Sequence, residues 1–309
     1  MIPEALEPVV DRALAAAFGT TAYDSVSLVA GGMRSALACR VVVRGSAYFV
    51  RVGASTLVDP AVDIANTRAA ADAGIAPRLH HADAADRVMV SDFIERAPLP
   101  PGFDRLVAQT IVRIHALPPW PKTIHHLATL DRFLARLQRT DLDDVRAAYA
   151  RLAAVYPRDA DLVACHNDLK PHNLLFDGER LWVVDWEAAF GNDRFADLAN
   201  VASFFVTDED AYLAAYFGRP ATAYERARFE LARWANHLAY VAFLSLFAAQ
   251  SSQPTPDFRA FHAGLVTGAI DLADDAIKMQ YANAHLAEAR NALQGARFSE
   301  AIAVVQRGP

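Results

Sequence analysis

The stretch VACHNDLKPHNLLFDGERLWVVDWE, Val163 to Glu187, constrains this chain more than any other. It reads as a short apolar strand end, a polar loop over His166–Asn173, and a two-strand ribbon with a carboxylate at its far end. Asp177-Gly178 between two apolar runs is a strong hairpin signal. Asn173–Phe176 should therefore pair with Leu181–Val184 and return Asp185 to the side of the loop. Asp168, Asn173 and Asp185 would then share one neighbourhood. Phosphoryl transfer calls for such a set: one carboxylate orients the attacking hydroxyl, while an Asn and a second carboxylate hold Mg²⁺ against the phosphates of ATP.

The spacing sharpens this. His-x-Asp-x-x-x-x-Asn, followed by a hairpin and then apolar-apolar-Asp, has the order of a kinase catalytic loop and its metal-binding Asp. The roles that follow are Asp168 as the catalytic carboxylate and Asn173 and Asp185 as metal ligands. Lys170, two residues past Asp168, is placed to neutralise charge developing on the transferred phosphoryl group. An ordinary polar loop in a β-rich segment is the competing account, and two motifs in register weigh against it.

With 309 residues the chain is long enough for two lobes sharing a cleft, and 53% hydrophobic with 21% charged residues suits a globular protein. A net charge of −6 argues against a broad nucleic-acid footprint. Cys39 and Cys165 lie far apart and form no metal-type cluster, which fits reduced thiols and a cytoplasmic location. The acidic N-terminus is no secretion signal, and the most apolar run, Leu238–Ala249, is too short to span a bilayer.

Residues 1–94 read as a nucleotide-binding lobe. A helix over Pro3–Phe18 precedes strands at Val26–Ala30, Leu37–Arg44 and Ala47–Val52, the start of an antiparallel sheet. The turn holding Gly31 and Gly32 can lay backbone N–H groups over nucleotide phosphates; it serves equally as a plain hairpin turn. Arg51, between Val50 and Val52, is a cation on an inward-looking strand position, and phosphates would satisfy it. Asp63, early in a helix over Asp63–Ala73, can pair with Arg51 as well as complement the helix dipole. Arg78–His81 and Arg87–Phe93 would complete five strands; by analogy with kinases, and not from any side chain, backbone near Ser91 and Ile94 would face the adenine.

Residues 95–282 are mostly helical, with 3.6-residue apolar spacing over Asp104–Ala116, Leu130–Gln138 and Asp141–Tyr156. After the ribbon come Asp197–Phe205, Asp208–Phe217, a long helix from Thr222 to about Gln250, and Pro256–Ala282. Residues 283–309 form a helical appendage. The expected fold is α+β and two-lobed, a small antiparallel-sheet lobe with a larger helical one.

The chain resembles the choline/ethanolamine kinases, within the aminoglycoside-phosphotransferase-like kinases, from about Leu28 to Ala263. The resemblance rests on Gly31-Gly32, Tyr48–Val52, Gly74–Leu79, His166–Asn173, Val184–Glu187 and Asp197-Leu198-Ala199-Asn200. It implies a protein-kinase-like fold, MgATP, and transfer of the γ-phosphate to a small alcohol. It also puts Tyr240 and Phe243 where choline kinases carry two tryptophans, over the substrate's ammonium. Aromatic faces attract desolvated cations by roughly 0.5–2 kcal/mol; filling a core is the alternative use of the same rings. Where the family has a substrate-side Glu this chain has Phe204, so Glu187, Asp193 or Glu209 would have to supply negative charge. Thiamine kinase and aminoglycoside phosphotransferase are the neighbouring activities. A non-catalytic nucleotide-binding homologue would commonly have lost one of Asp168, Asn173 and Asp185, all present here.

Overall fold

The computed structural model describes residues 2–29, 35–53, 59–248, 253–267, 269–270, 272 and 274–309. Gly31 and Gly32 lie outside the described residues. The chain forms two compact units: Met1–Pro101 with Asn173–Ala189, and Gly102–His172 with Phe190–Pro309.

In the first unit, helix α1 (Glu7–Phe18) has Pro8 in its first turn and ends on Gly19 at φ 70°, a left-handed stop that favours glycine. Strands β1 (Ser25–Leu28), β2 (Ser35–Val43), β3 (Ser46–Gly53), β4 (Leu79–Asp83) and β5 (Val88–Asp92) make an antiparallel sheet in the order β1-β2-β3-β5-β4. Val50 and Val52 of β3 are buried with Val88, Val90, Val10 and Leu14 in one apolar cluster. The two-residue period of a strand turns Arg51, between them, to the opposite face. Helix α2 (Pro60–Asp72) starts where Pro60 is pre-set for the first turn and the Asp59 carboxylate accepts from the Ala61 N–H.

The ribbon of Leu174–Phe176 and Leu181–Val183 groups with this sheet unit although it follows it by some seventy residues of chain. Three bonds tie it there: Val183 N–H to the Ile75 carbonyl, Ala97 N–H to that of Phe176, and Asn66 Nδ2 to that of Ala189. Its turn carries Gly178 at φ 104°, with Asp177 Oδ1 accepting from the Glu179 and Arg180 N–H groups.

The second unit contains α3 (Phe103–His115), α4 (His126–Arg136), α5 (Asp143–Val155), α6 (Arg194–Phe205), α7 (Glu209–Phe217), α8 (Ala223–Leu246), α9 (Phe258–Thr267), α10 (Asp275–Gln294) and α11 (Arg297–Arg307). Thr222 and Glu225 close a reciprocal capping box at the start of α8. One apolar core draws on α4, α5, α8, α10 and α11, through Leu134, Leu152, Trp234, Leu238, Leu286 and Phe298 among others. The sequence expectation of a continuous helix over Pro256–Ala282 is corrected. Two helices occupy that region, because Asp274 caps a new one by accepting from the Ala276 N–H. Two short antiparallel strands, Leu162–Cys165 and Phe190–Asp193, complete the unit. Among the described residues no helix is long and apolar enough to cross a membrane.

Candidate active site

The predicted residues fall into two groups, one on each unit. On the sheet unit, Arg51 is the hub. Its guanidinium pairs with Asp63 of α2, and its Nη1 lies 3.7 Å from Asp185 and 3.9 Å from Glu187. Burial works against that charge, but Asp63 and Asp185 outweigh it and hold the guanidinium pKa above its ordinary value. Asp63 is itself buried, which raises its carboxyl pKa against the pull of Arg51. Glu187 therefore sits with Arg51 and Asp185. Asn173, 4% exposed, closes the open end of the ribbon by accepting the Val184 N–H on its carbonyl at 3.0 Å. That closure sets Asp185, the next residue, beside it. Asp185 has φ 68° and a side chain 29% exposed. A buried amide and a part-exposed carboxylate, both oxygen donors, suit a hard divalent cation of the Mg²⁺ type. Ser91 lies on β5 opposite Phe49, its hydroxyl bonded to the Asp92 carbonyl at 3.4 Å, and Ile94 follows the strand.

On the helical unit, Asp168 stands on a loop whose supports are buried. Asp197 of α6, fully buried, accepts from the backbone N–H groups of His166 at 2.9 Å and Asn167 at 2.7 Å, and faces His115 Nε2 at 3.2 Å. Burial would raise the Asp197 pKa, but the His115 hydrogen bond and charge bring it below the ordinary carboxylate value. Asn167 is held left-handed at φ 66°. Its amide donates to the Phe190 carbonyl at 3.1 Å, and its Oδ1 accepts from Asn192 at 2.7 Å. Trp120 Nε1 donates to the Cys165 carbonyl, and the Cys165 thiol is buried with its pKa pushed far up, hence unreactive. Asp168 is part-exposed on this loop, its side chain 28% exposed, with Lys170 Nζ 2.6 Å from its Oδ2.

Tyr240 of α8 belongs to the same unit, and the Asp168 charge reaches it. Burial first, then that charge, push its hydroxyl up to about 12. Its ring stacks on His285 at 4.4 Å between centroids, and its hydroxyl takes the Asn200 amide N–H at 3.3 Å. Phe243 packs instead with Phe133, 6.0 Å away, and Phe247, 4.8 Å away. The two other carboxylates named as sources of negative charge are already engaged in ion pairs. Asp193 is buried against Arg228 at 2.7 Å, and Glu209 is paired with Arg233 and Arg297. His115, Trp120, Asn192, His262 and His285 were not singled out from sequence; only their contacts reveal them. A cavity of about 720 Å³ lined by Arg139, Asn283 and Arg290 shares no residue with either group.

The sequence matches the APH phosphotransferase enzyme family over residues 26–230, and the chain belongs to that family. Protein LicA of Haemophilus influenzae is 31% identical over 77 residues, 24% of this chain and 23% of LicA. The chain thus matches about a quarter of the length of that curated relative. A choline/ethanolamine kinase family protein from Mesorhizobium loti superposes with a TM-score of 0.75 at 23% identity, covering 98% of this chain and 100% of the other. Choline kinase LicA from Streptococcus pneumoniae gives a TM-score of 0.64 at 18% identity, covering 92% and 100%. At these identities the likeness is one of fold.

Proposed function

We propose that this protein is an ATP- and Mg²⁺-dependent kinase that transfers the γ-phosphate to the hydroxyl of a small cationic alcohol such as choline or ethanolamine. One observation carries the reading: helix α6 links an aromatic ring to the Asp168 loop, its Asp197 accepting from the His166 and Asn167 N–H groups and its Asn200 donating to the Tyr240 hydroxyl. An alcohol with its cation on the ring would offer its hydroxyl to the carboxylate.

Asp168 aligns that hydroxyl with the phosphorus and accepts its proton late, since a loose transition state needs little early deprotonation. Lys170, already on Asp168, neutralises charge on the moving group. Arg51, kept charged by its carboxylates, contacts the phosphates of the nucleotide. Asn173 and Asp185 would hold Mg²⁺, which supplies charge neutralisation across the phosphates.

The test is ADP release with choline or ethanolamine as acceptor. Asp185→Ala should abolish turnover, and Asn173→Ala should be severe but less complete, because Asn is a neutral ligand. Asp168→Asn should lower kcat by about 10²–10⁴-fold with ATP binding nearly intact. Normal turnover by Asp185→Ala at ordinary Mg²⁺ would overturn the proposal.

A further inference from the structure

Two buried polar atoms near Tyr240 go unused inside the fold. Asn200, 5% exposed, gives its amide N–H to the Tyr240 hydroxyl and leaves its Oδ1 without a hydrogen-bond partner among the described residues. His262 of α9 meets the Tyr281 hydroxyl through Nδ1 at 3.3 Å and leaves its buried Nε2 equally unpartnered. Phe204 links the pair. Its ring stacks on His262, 4.3 Å between centroids and 16° between planes, and meets Tyr240 edge-on at 6.3 Å.

A buried acceptor left without a partner is destabilising, and most buried polar groups in native proteins have one. Both atoms belong to the one aromatic group that surrounds Tyr240. Burial, with the charge of His172 adding to it, lowers the His262 pKa to about 4, so the ring is neutral near pH 7 and keeps one lone pair. The Tyr281 hydroxyl gives as readily as it takes, which frees that lone pair to sit on Nε2.

We propose that Asn200 Oδ1 and His262 Nε2 accept N–H hydrogen bonds from the ammonium of the acceptor, so that this site selects primary and secondary amino alcohols over a quaternary one. The inference rests on the kinase reading above and goes further, to the residues that choose the substrate. A quaternary ammonium has methyls where these acceptors need donors. It would gain the faces of Tyr240 and Phe204 yet leave both polar atoms buried and unbonded. A site built to hydrogen-bond a substrate N–H rejects the analogue that lacks it far more strongly than an apolar pocket rejects an extra methyl.

The experiment measures ADP release with ethanolamine and its N-methyl, N,N-dimethyl and N,N,N-trimethyl forms at saturating ATP. The expected result is a kcat/KM that falls with each lost N–H and is at least tenfold lower for choline than for ethanolamine. His262→Phe keeps the stack on Phe204 but removes Nε2. It should raise KM for ethanolamine, flatten the series and leave KM for ATP unchanged. Asn200→Leu is the second variant and should act in the same direction. Preference of the wild type for choline, or a series unaltered in both variants, overturns the inference and leaves the kinase reading standing. Failure of all four alcohols as acceptors overturns both.

Discussion

At the scale of single residues, the backbone of Asp185 is informative. A side chain other than glycine held at φ 68° costs about 1–3 kcal/mol, and strain of that kind collects at functional sites. Asp185→Gly should therefore remove turnover while leaving Tm unchanged or higher, which a thermal melt beside an ADP-release assay would check. A lower Tm would mean that the carboxylate also holds the fold. Arg51 and Asp63 form a pair buried enough to be coupled. A double-mutant cycle on ATP binding should give an interaction of roughly 0.5–3 kcal/mol, and additivity would dissolve the pairing. Asp168, Asn173, Asp185 and Arg51 were readable from local sequence because each lies in a motif or on a strand of fixed period. His262 and His285 were not. His285 reaches Tyr240 from α10 and His262 reaches Phe204 from α9, and no local pattern encodes contacts across such stretches of chain.

At the scale of elements, the strand Phe190–Asp193 exists because of its neighbours. With one apolar residue it has no strand signal, and sequence reading passed over it. Its partner Leu162–Cys165 and the bridge from Thr123 to Gly191 hold it in place. Gly191 is needed there: an added Cβ would lie 2.5 Å from Thr123 Oγ1 and 3.2 Å from Thr123 Cβ. Gly191→Ala should cost about 1–3 kcal/mol in a denaturant titration, and Thr123→Ala in the same chain should restore part of it. Full stability of the single variant would show that the strands can part freely. The sheet strands β2, β3 and β5 were legible through alternation and turn residues. The break between α9 and α10 was not, since its signal is the Asp274 cap, which outwardly resembles any other exposed Asp.

At the scale of the whole molecule, acid sensitivity follows from buried imidazoles. Burial lowers His126 and His237 to about 3 and His262 to about 4, and holds His285 well below its ordinary value. Each then stays neutral in the fold while the unfolded chain takes up protons below its ordinary pKa near 6.5. The unfolded state binds more protons, so stability must fall as pH drops through that value, by up to about 1.4 kcal/mol per pH unit for one such group. Tm should decline from pH 7 to pH 5, and less steeply for His126→Phe; a flat profile would contradict the burial of these rings. The two-unit division has a consequence for biosynthesis. The sheet unit borrows Asn173–Ala189 from much later in the chain, and residues 102–172 must leave the ribosome first. At about 5–20 residues per second, that leaves the nascent sheet without its ribbon for several seconds. During that interval the carbonyl of Ile75 and the amide of Asn66, which the finished protein gives to Val183 and Ala189, have only water or a chaperone to answer them.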